Sequence, residues 1–232
     1  MTLTQNDRKE LRVLSIIDES SDVRTFVVEK PDEWTWEEGS HARFGVLIGD
    51  ALDQRTMSVS SLPGDGTITM TTRHYANESP YKAALWEKRV GDTLWVSAPR
   101  SRFRLPRAQR PVLLLAMGVG MATLLPVVRA FQRDPSGVIH LEVITVDREL
   151  DLFKQQDLSQ VVHYPTSNRV AFYKTLDLVL SKTQPIVMVV GSDRFVESVV
   201  RTLKARGISP SDLRLDKKAG AIEWIWTQNG SF

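Results

Sequence analysis

A short polar segment in the first half of the chain has residue types that can bind a phosphate group. Arg55, Thr56, Met57 and Ser58 follow the apolar segment Phe44–Ile48. In an extended strand, Arg55 and Met57 share one face while Thr56 and Ser58 share the other. A guanidinium can form two parallel hydrogen bonds to phosphate oxygens. The segment indicates either a diphosphate-binding strand or a solvated strand with a surface arginine, and its spacing alone does not separate the two.

A second candidate site begins where an apolar run ends at two glycines. Val112–Met117 is continuously apolar, as expected of a strand buried on both faces, and Thr123–Gln132 after the turn resembles a helix. The turn itself contains Gly118, Val119, Gly120 and Met121. A strand, a glycine turn and a helix commonly bind a dinucleotide pyrophosphate, because a backbone without Cβ atoms can approach the phosphates. Two glycines also fit a tight turn that binds nothing.

The composition excludes several other kinds of chemistry. The chain has 232 residues and no cysteine, so it carries no disulfide, thiolate nucleophile or iron–sulfur cluster. Its four histidines occur singly, without the spacing of metal ligands, and no metal site is predicted. The net charge of +2 is too small to indicate nucleic-acid binding.

The hydropathy pattern predicts no association with a membrane. No apolar run reaches the roughly 18 residues of a membrane span. The polar N-terminal stretch Met1–Glu10 does not resemble a signal peptide. A cytoplasmic location is therefore expected.

The elements that would position the first site are short strands separated by turns. The predicted strands are Leu11–Ile17, Arg24–Glu29, His41–Ile48, Thr56–Ser60, Thr67–Thr72 and Thr93–Ser97. Turn signals about 10–15 residues apart indicate an antiparallel barrel or sandwich. One helix, Ser79–Lys88, interrupts the strands, with Ser79 as its N-cap and Pro80 in its first turn.

The second half of the chain alternates between strands and helices. Further strands are predicted at His140–Val146, Val161–Tyr164 and Ile186–Val190, and helices at Leu152–Leu158, Val170–Leu180 and Arg194–Arg206. This alternation indicates βαβ units in a mostly parallel sheet. We therefore expect an antiparallel β-barrel domain with one helix over residues 1–107 and an α/β nucleotide-binding domain over residues 108–232.

Taken in order, these segments resemble the ferredoxin–NADP reductase family. Residues 55–58 are similar to its flavin motif, Arg-x-Tyr-Ser, which implies that Arg55 pairs with the FAD pyrophosphate and that Ser58 bonds near the flavin N5. Met57 stands where the family has the tyrosine that stacks on the flavin, and a thioether covers less of the ring. The resemblance also places Lys82 and Ala83 at the helix N-terminus that holds the flavin pyrophosphate.

The resemblance extends into the second half of the chain. Gly118–Thr123 is similar to the family's Gly-x-Gly-x-Ala/Thr-Pro turn, with Thr123 where the family has proline. Arg148 is implied as a dinucleotide ligand, and Gly191 corresponds to the glycine of a Cys-Gly-Pro segment near the nicotinamide. Ser167 and Arg169 are expected to receive the 2′-phosphate of NADP. Because no acidic residue is evidently placed for a free ribose hydroxyl, the dinucleotide is expected to be NADP, with NAD as the alternative.

The function implied by the resemblance is that of a flavin-dependent oxidoreductase. Electrons would pass from NAD(P)H through FAD to a separate acceptor, either a redox partner protein or a small molecule. No catalytic side chain is identified. The alternative is a flavin-binding electron-transfer or regulatory subunit that does not turn over nicotinamide. It is favoured by departures from the family pattern, at Met57, Thr123, Ser192 and Asp216.

Overall fold

Alternating buried and exposed residues build the first part of the chain into antiparallel strands. The computed structural model describes residues 8–77, 79–101, 103–150, 152–153, 155–217, 225 and 227. These strands are β1 (Arg8–Ser20), β2 (Val23–Glu29), β3 (Ser40–Ile48), β4 (Ala51–Ser58), β5 (Thr67–Arg73), β6 (Thr93–Ser97) and β7 (Arg100–Ser101). The chain divides into two compact units, Met1–Arg104 and Leu105–Phe232.

The sheet of the first unit curls into the expected barrel. Its strand order is β4-β3-β6-β1-β2-β5, and β7 pairs with β3. The two end strands meet just beyond β4, where the Ser60 amide donates to the Thr69 carbonyl over 2.9 Å. Phe26, Phe44 and Ile68 are completely buried inside it. The barrel therefore has a closed apolar core of its own.

One helix packs on this barrel, as the sequence predicts. Helix α1 spans Pro80–Trp86, and the Ser79 hydroxyl accepts a hydrogen bond from the Lys82 amide at its N-terminus. Tyr81 and Leu85 are fully buried in the barrel core. The phenol of Tyr81 donates to the Phe44 carbonyl over 3.0 Å, which ties the first turn of α1 to β3.

The second unit is a parallel sheet with helices on both faces. Its strands are β8 (Arg110–Met117), β9 (Val138–Val146), β10 (Val162–Thr166), β11 (Ile186–Val190) and β12 (Leu213–Leu215), in the order β10-β9-β8-β11-β12. The helices are α2 (Met121–Arg133), α3 (Arg169–Leu180) and α4 (Asp193–Ala205). Together with the barrel, this sheet confirms the predicted fold class.

The order in which the chain adds strands to this sheet reverses between β8 and β11, which makes this position the topological switch point. The first three strands progress from β8 to β10, whereas β11 and β12 lie on the other side of β8. Helices α3 and α4 pack on the face of β8 that carries Leu113 and Leu115. Right-handed crossovers place α2 on the opposite face. In open sheets of this kind, ligands bind beyond the carboxyl ends of the strands at the switch point.

The connection from β9 to β10 differs from the prediction. The described residues of Leu152–Leu158 form turns rather than a helix, and Phe153 has a φ of 65° with its side chain buried. Asp147 and Asp157 explain the difference, because each side chain accepts a hydrogen bond from the amide two residues on. Such local bonds compete with helix formation.

The last predicted element falls mostly outside the described residues. Alternation in the sequence puts Ile222, Trp224 and Trp226 on one face, which indicates core packing or an extra edge strand, and all three lie outside the described part of the chain. The intervening Ile225 has helical backbone geometry and is buried in the core beside α3 and α4.

Candidate functional site

The register of β4 decides which way each residue of the first candidate site faces. Arg55 pairs with Phe44 and Met57 with Ala42, so both lie on the face toward the barrel core. Met57 is half-buried and packs against that core. Thr56 is exposed and pairs with Arg43 on the opposite face, where the half-buried Ser58 also lies.

Arg55 lies against the first turn of α1. Its Cζ atom is 5.2 Å from the ring centroid of Tyr81, within the range of a cation–π contact. The guanidinium also forms an ion pair with Asp53 and donates to the Gln54 carbonyl over 2.9 Å. About half of the Arg55 side chain remains exposed to solvent. The structure therefore brings together Arg55 and the helix that the resemblance assigns to the flavin pyrophosphate.

The backbone amides of Lys82 and Ala83 form hydrogen bonds at the start of α1. The Lys82 amide donates to Ser79 Oγ over 3.4 Å, and the Ala83 amide donates to the Ser79 carbonyl over 3.1 Å. The Lys82 ammonium donates to the Arg73 carbonyl over 3.4 Å. Their role toward a flavin stays a prediction.

The buried phenol of Tyr81 supports Arg55 without titrating near neutral pH. Burial raises the pKa of Tyr81 well above its usual range, although the nearby Arg55 guanidinium opposes the shift. Tyr81 therefore remains a neutral hydrogen-bond donor under Arg55.

Two glycines at the switch point lie in close packing, Gly120 against backbone and Gly191 against a side chain. A Cβ on Gly120 would lie 3.0 Å from the Val190 carbonyl oxygen, and one on Gly191 would lie 2.5 Å from Phe195 Cδ1. Gly118 has a φ of 57°, which glycine adopts without strain. The end of β8 and the end of β11 therefore approach closely, and a Cβ at either glycine would crowd its neighbours.

The rest of the glycine turn continues directly into α2. Gly118, Val119 and Gly120 form one 3₁₀ turn, and the Met121 amide donates to the Gly118 and Val119 carbonyls. Thr123 is buried in the first turn of α2, and Pro126 lies inside the helix. The position of this turn at the crevice agrees with both interpretations offered by the sequence, a tight packing turn and a phosphate cradle.

The end of β11 carries a further charged pair. Lys217 Nζ lies 2.5 Å from Asp193 Oδ1 and donates to the Gly191 carbonyl over 3.4 Å. Ser192 is the N-cap of α4, where its hydroxyl accepts from the Phe195 amide over 3.3 Å. Ser192 and Lys217 therefore stabilise the turn that follows β11.

A pocket of about 190 Å³ opens at the carboxyl ends of β9 and β10, beside the glycine turn. Its walls contain Gly118, Met121, Thr145, Val146, Asp147, Glu149, Leu150, Leu152, Phe153, Gln156, Leu158, His163, Pro165 and Thr166. Thr145 Oγ1 and His163 Nε2 are hydrogen-bonded over 2.9 Å. Burial lowers the pKa of His163, which keeps the imidazole neutral near pH 7.

The sequence analysis missed the acidic residue at this pocket. Asp147 follows β9 directly, and its amide donates to the Thr166 carbonyl over 3.1 Å. Its position directly after the predicted strand His140–Val146 was the only signal in the sequence. Arg148, Ser167 and Arg169, which the resemblance implies as dinucleotide ligands, are exposed and do not line the pocket. Their binding roles stay predictions.

Two kinds of feature, a metal-binding cluster and a membrane-spanning helix, are absent from the described part of the chain. Among the described residues, no three or more histidine, aspartate or glutamate side chains are grouped as they would be around a metal ion. No helix within the described ranges is both long and apolar enough to span a membrane.

The barrel and the five-stranded parallel sheet together form the fold of ferredoxin–NADP reductase-like proteins. A ferredoxin NADP⁺ reductase from Neisseria gonorrhoeae, solved with FAD and NADP, has a TM-score of 0.74 at 15% identity, covering 91% of this chain and 98% of that one.

Two other solved structures show the same fold. The CS-b5R domains of human Ncb5or, in an NAD⁺ form, have a TM-score of 0.74 at 17% identity, covering 90% of this chain and 69% of that one. The Amycolatopsis cytochrome P450 reductase GcoB has a TM-score of 0.72 at 20% identity, with 90% and 70% covered. No protein-family model matches the chain, and no curated protein matches it. At these identities the likeness establishes the fold.

Proposed function

We propose that this protein is a flavoprotein reductase that takes electrons from NAD(P)H and passes them, through FAD, to a separate acceptor. The observation that carries the proposal is the glycine turn at the switch point of the parallel sheet. This sheet follows a barrel in which Arg55 lies against α1. Each half of the chain thus has one feature suited to a nucleotide. The chain has no cysteine, so it does not itself hold a cysteine-bound iron–sulfur cluster as acceptor.

Residues 1–107 are assigned to FAD in this proposal. Arg55 would pair with the pyrophosphate, since half of its side chain is exposed and guanidinium binds phosphate in a fork. Asp53 competes for the same guanidinium and keeps it oriented before a ligand arrives. Ser58 supplies a hydroxyl on the same strand. Met57 offers its thioether where the family has an aromatic ring.

Residues 108–232 are assigned to the nicotinamide dinucleotide. A Cβ on Gly120 would lie against Val190, so this glycine lets the turn pack closely on the end of β11. The turn also precedes the N-terminus of α2, where the helix dipole favours an anion. When bound, the flavin supplies the hydride and electron chemistry that no side chain of this chain can supply. The residues of the two units bind and orient the cofactors.

A second candidate is a flavin-binding subunit that does not turn over nicotinamide. The specific observation in its favour is the Lys217–Asp193 pair, which ties the end of β11 to residues beyond β12. Ser192 adds a helix cap at the same turn. In this candidate the turn after β11 is a closed structural junction rather than part of a nicotinamide site.

Anaerobic spectroscopy separates the two candidates. The full chain is purified, reconstituted with FAD, and titrated with NADH and with NADPH while flavin absorbance is followed. Bleaching by either nucleotide is the result expected for a reductase. A flavin spectrum that persists supports the second candidate. A protein that retains neither FAD nor FMN after reconstitution contradicts both.

A further inference from the structure

The carboxylate of Asp53 occupies the two donors with which Arg55 would bind a phosphate. Arg55 Nη2 donates to Asp53 Oδ2 over 3.0 Å, and Arg55 Nη1 donates to Asp53 Oδ1. Both oxygens of the carboxylate are thus held by the two terminal nitrogens of one guanidinium. Phosphate oxygens bind the same pair of nitrogens in the same planar arrangement. A phosphate that binds Arg55 in this way must therefore displace Asp53.

Other contacts hold the guanidinium in place when Asp53 leaves it. Arg55 Nη1 also donates to the Gln54 carbonyl over 2.9 Å, and Arg55 Cζ lies 5.2 Å from the ring centroid of Tyr81. Tyr81 is completely buried, and its phenol donates to the Phe44 carbonyl over 3.0 Å. The ring below the guanidinium is therefore fixed by the barrel and does not depend on Asp53.

The pair between Asp53 and Arg55 is open to exchange with a ligand. The Asp53 side chain is 31% exposed and the Arg55 side chain 48% exposed. An ion pair with this exposure contributes little to stability, so a ligand can replace it at low cost. Within the part of the chain that the structure describes, the contacts of the Asp53 carboxylate are those with Arg55.

A displaced Asp53 remains near the ligand that replaces it. Asp53 and Arg55 are two positions apart on one face of β4, which corresponds to about 7 Å along the strand. This distance is below the Debye length of about 8 Å at physiological ionic strength. The carboxylate therefore repels a phosphate bound at Arg55 even after it has left the guanidinium.

We infer that Asp53 is an internal counter-ion that flavin phosphates must displace from Arg55, and that it sets how strongly the site prefers phosphate-bearing flavins over riboflavin. The inference rests on the proposed function, which assigns this strand to a flavin. FAD and FMN have to exchange the pair, whereas riboflavin has no phosphate and leaves it intact. Asp53 therefore lowers the affinity for FAD and FMN selectively and keeps them exchangeable.

Fluorescence titration of the flavin-stripped full chain with FAD, FMN and riboflavin tests the inference. Asp53→Asn keeps the shape of the side chain and removes its charge. FAD and FMN should bind this variant about 3-fold to 10-fold more tightly than the wild type, as expected for the loss of one like charge at this separation. Riboflavin should change by less than about 2-fold, because it carries no charge for Asp53 to repel. An affinity for riboflavin that is too low to measure in both proteins counts as no gain.

Asp50→Asn is the matched control. Asp50 is exposed in the turn between β3 and β4, so this variant removes the same charge from the same hairpin at a residue that does not contact Arg55. Its affinity for each of the three flavins should stay within about 2-fold of the wild type, since solvent and salt screen an exposed charge. Thermal melting of both variants checks that they fold.

The outcomes separate the inference from the proposed function. Unchanged or weaker FAD binding by folded Asp53→Asn overturns the inference, as does an equal gain for riboflavin or an equal gain in Asp50→Asn. Each of these results leaves the reductase proposal intact if NADH or NADPH bleaches the bound FAD. A selective gain in Asp53→Asn, in a chain whose flavin neither nucleotide bleaches, supports the inference and contradicts the reductase. A chain that binds none of the three flavins overturns both.

Discussion

At the scale of single residues, Arg55 has an acidic neighbour that competes with any phosphate. Asp53 lies two positions away on β4 and forms an ion pair with Arg55. The Tyr81 ring makes a cation–π contact with the same guanidinium. The pair is half-exposed, so its own contribution to stability is small. A phosphate that displaces Asp53 gains a charge-assisted contact at a guanidinium that is already oriented.

Arg55→Ala is therefore expected to weaken FAD binding by about 10-fold to 100-fold, the loss of one charge-assisted hydrogen-bonding group. Equilibrium titration of the stripped protein with FAD, followed by flavin fluorescence, measures the change. Arg43→Ala is the control, because Arg43 lies on the neighbouring strand with its side chain on the opposite face. Full flavin affinity in Arg55→Ala, or an equal loss in Arg43→Ala, would show that Arg55 does not contact the pyrophosphate.

His163 makes stability depend on pH in one defined window. Burial lowers its pKa below the ordinary value of 6.5, so the unfolded chain binds more protons than the folded chain below about pH 6.5. Stability should therefore fall as the pH drops from 7.5 to 5.5. The carboxylates with lowered pKa values, including Asp134 and Glu29, contribute their own losses only at lower pH.

His163→Gln should reduce this dependence between pH 7.5 and 5.5, measured as the free energy of unfolding in urea. The difference in slope should stay below the one-proton limit of about 1.4 kcal/mol per pH unit. At pH 8 the wild-type imidazole is neutral in both the folded and the unfolded chain, so the difference between wild type and variant there gives the cost of the substitution itself. An identical pH slope in wild type and variant would contradict the assignment.

At the scale of elements, the junction of β8, α2 and β11 depends on Gly120. Gly120→Ala would place a methyl group 3.0 Å from the Val190 carbonyl oxygen and 3.1 Å from Val190 Cγ1. Backbone cannot move aside cheaply, so we expect a loss of about 1–3 kcal/mol in the α/β unit and weaker ADP binding. Urea unfolding and calorimetry measure the two effects.

Gly49→Ala provides the comparison for this junction. Gly49 has a φ of 59° in the hairpin between β3 and β4, and a Cβ there would meet nothing within 4 Å. It should lose stability through backbone strain alone and keep ADP affinity. A Gly120→Ala variant that binds ADP like Gly49→Ala would show that the turn is only a packing junction.

At the scale of the whole molecule, local sequence signals predict most of the architecture. Continuous apolar runs such as Val112–Met117 identify strands buried on both faces, and turn residues mark the barrel hairpins. The Ser79 and Pro80 signals place α1 correctly, because a cap is a local interaction. Strand order and register depend on contacts between distant residues and could not be obtained from periodicity.

The candidate site was less accessible to sequence reasoning for the same physical reason. The glycine turn and Arg55 are recognisable from local sequence patterns. In the structure, the glycine turn lies at the switch point of the sheet and Arg55 lies against α1. Asp147 carries no motif of its own, and its place in the wall of the pocket follows from the order of strands around β8. The segment Leu152–Leu158, predicted as a helix, contributes turns to the wall of the pocket instead.

The edge strand β10 protects the α/β unit from self-association. The Thr166 carbonyl accepts from the Asp147 amide on the β9 side, so the peptide groups of the adjacent Pro165 face away from the sheet. Proline has no amide hydrogen to offer an incoming strand, and the strand is only five residues long. A strand of a second molecule therefore could not form a continuous row of hydrogen bonds along β10. This disfavours strand exchange and polymerisation through β10 when the protein is concentrated.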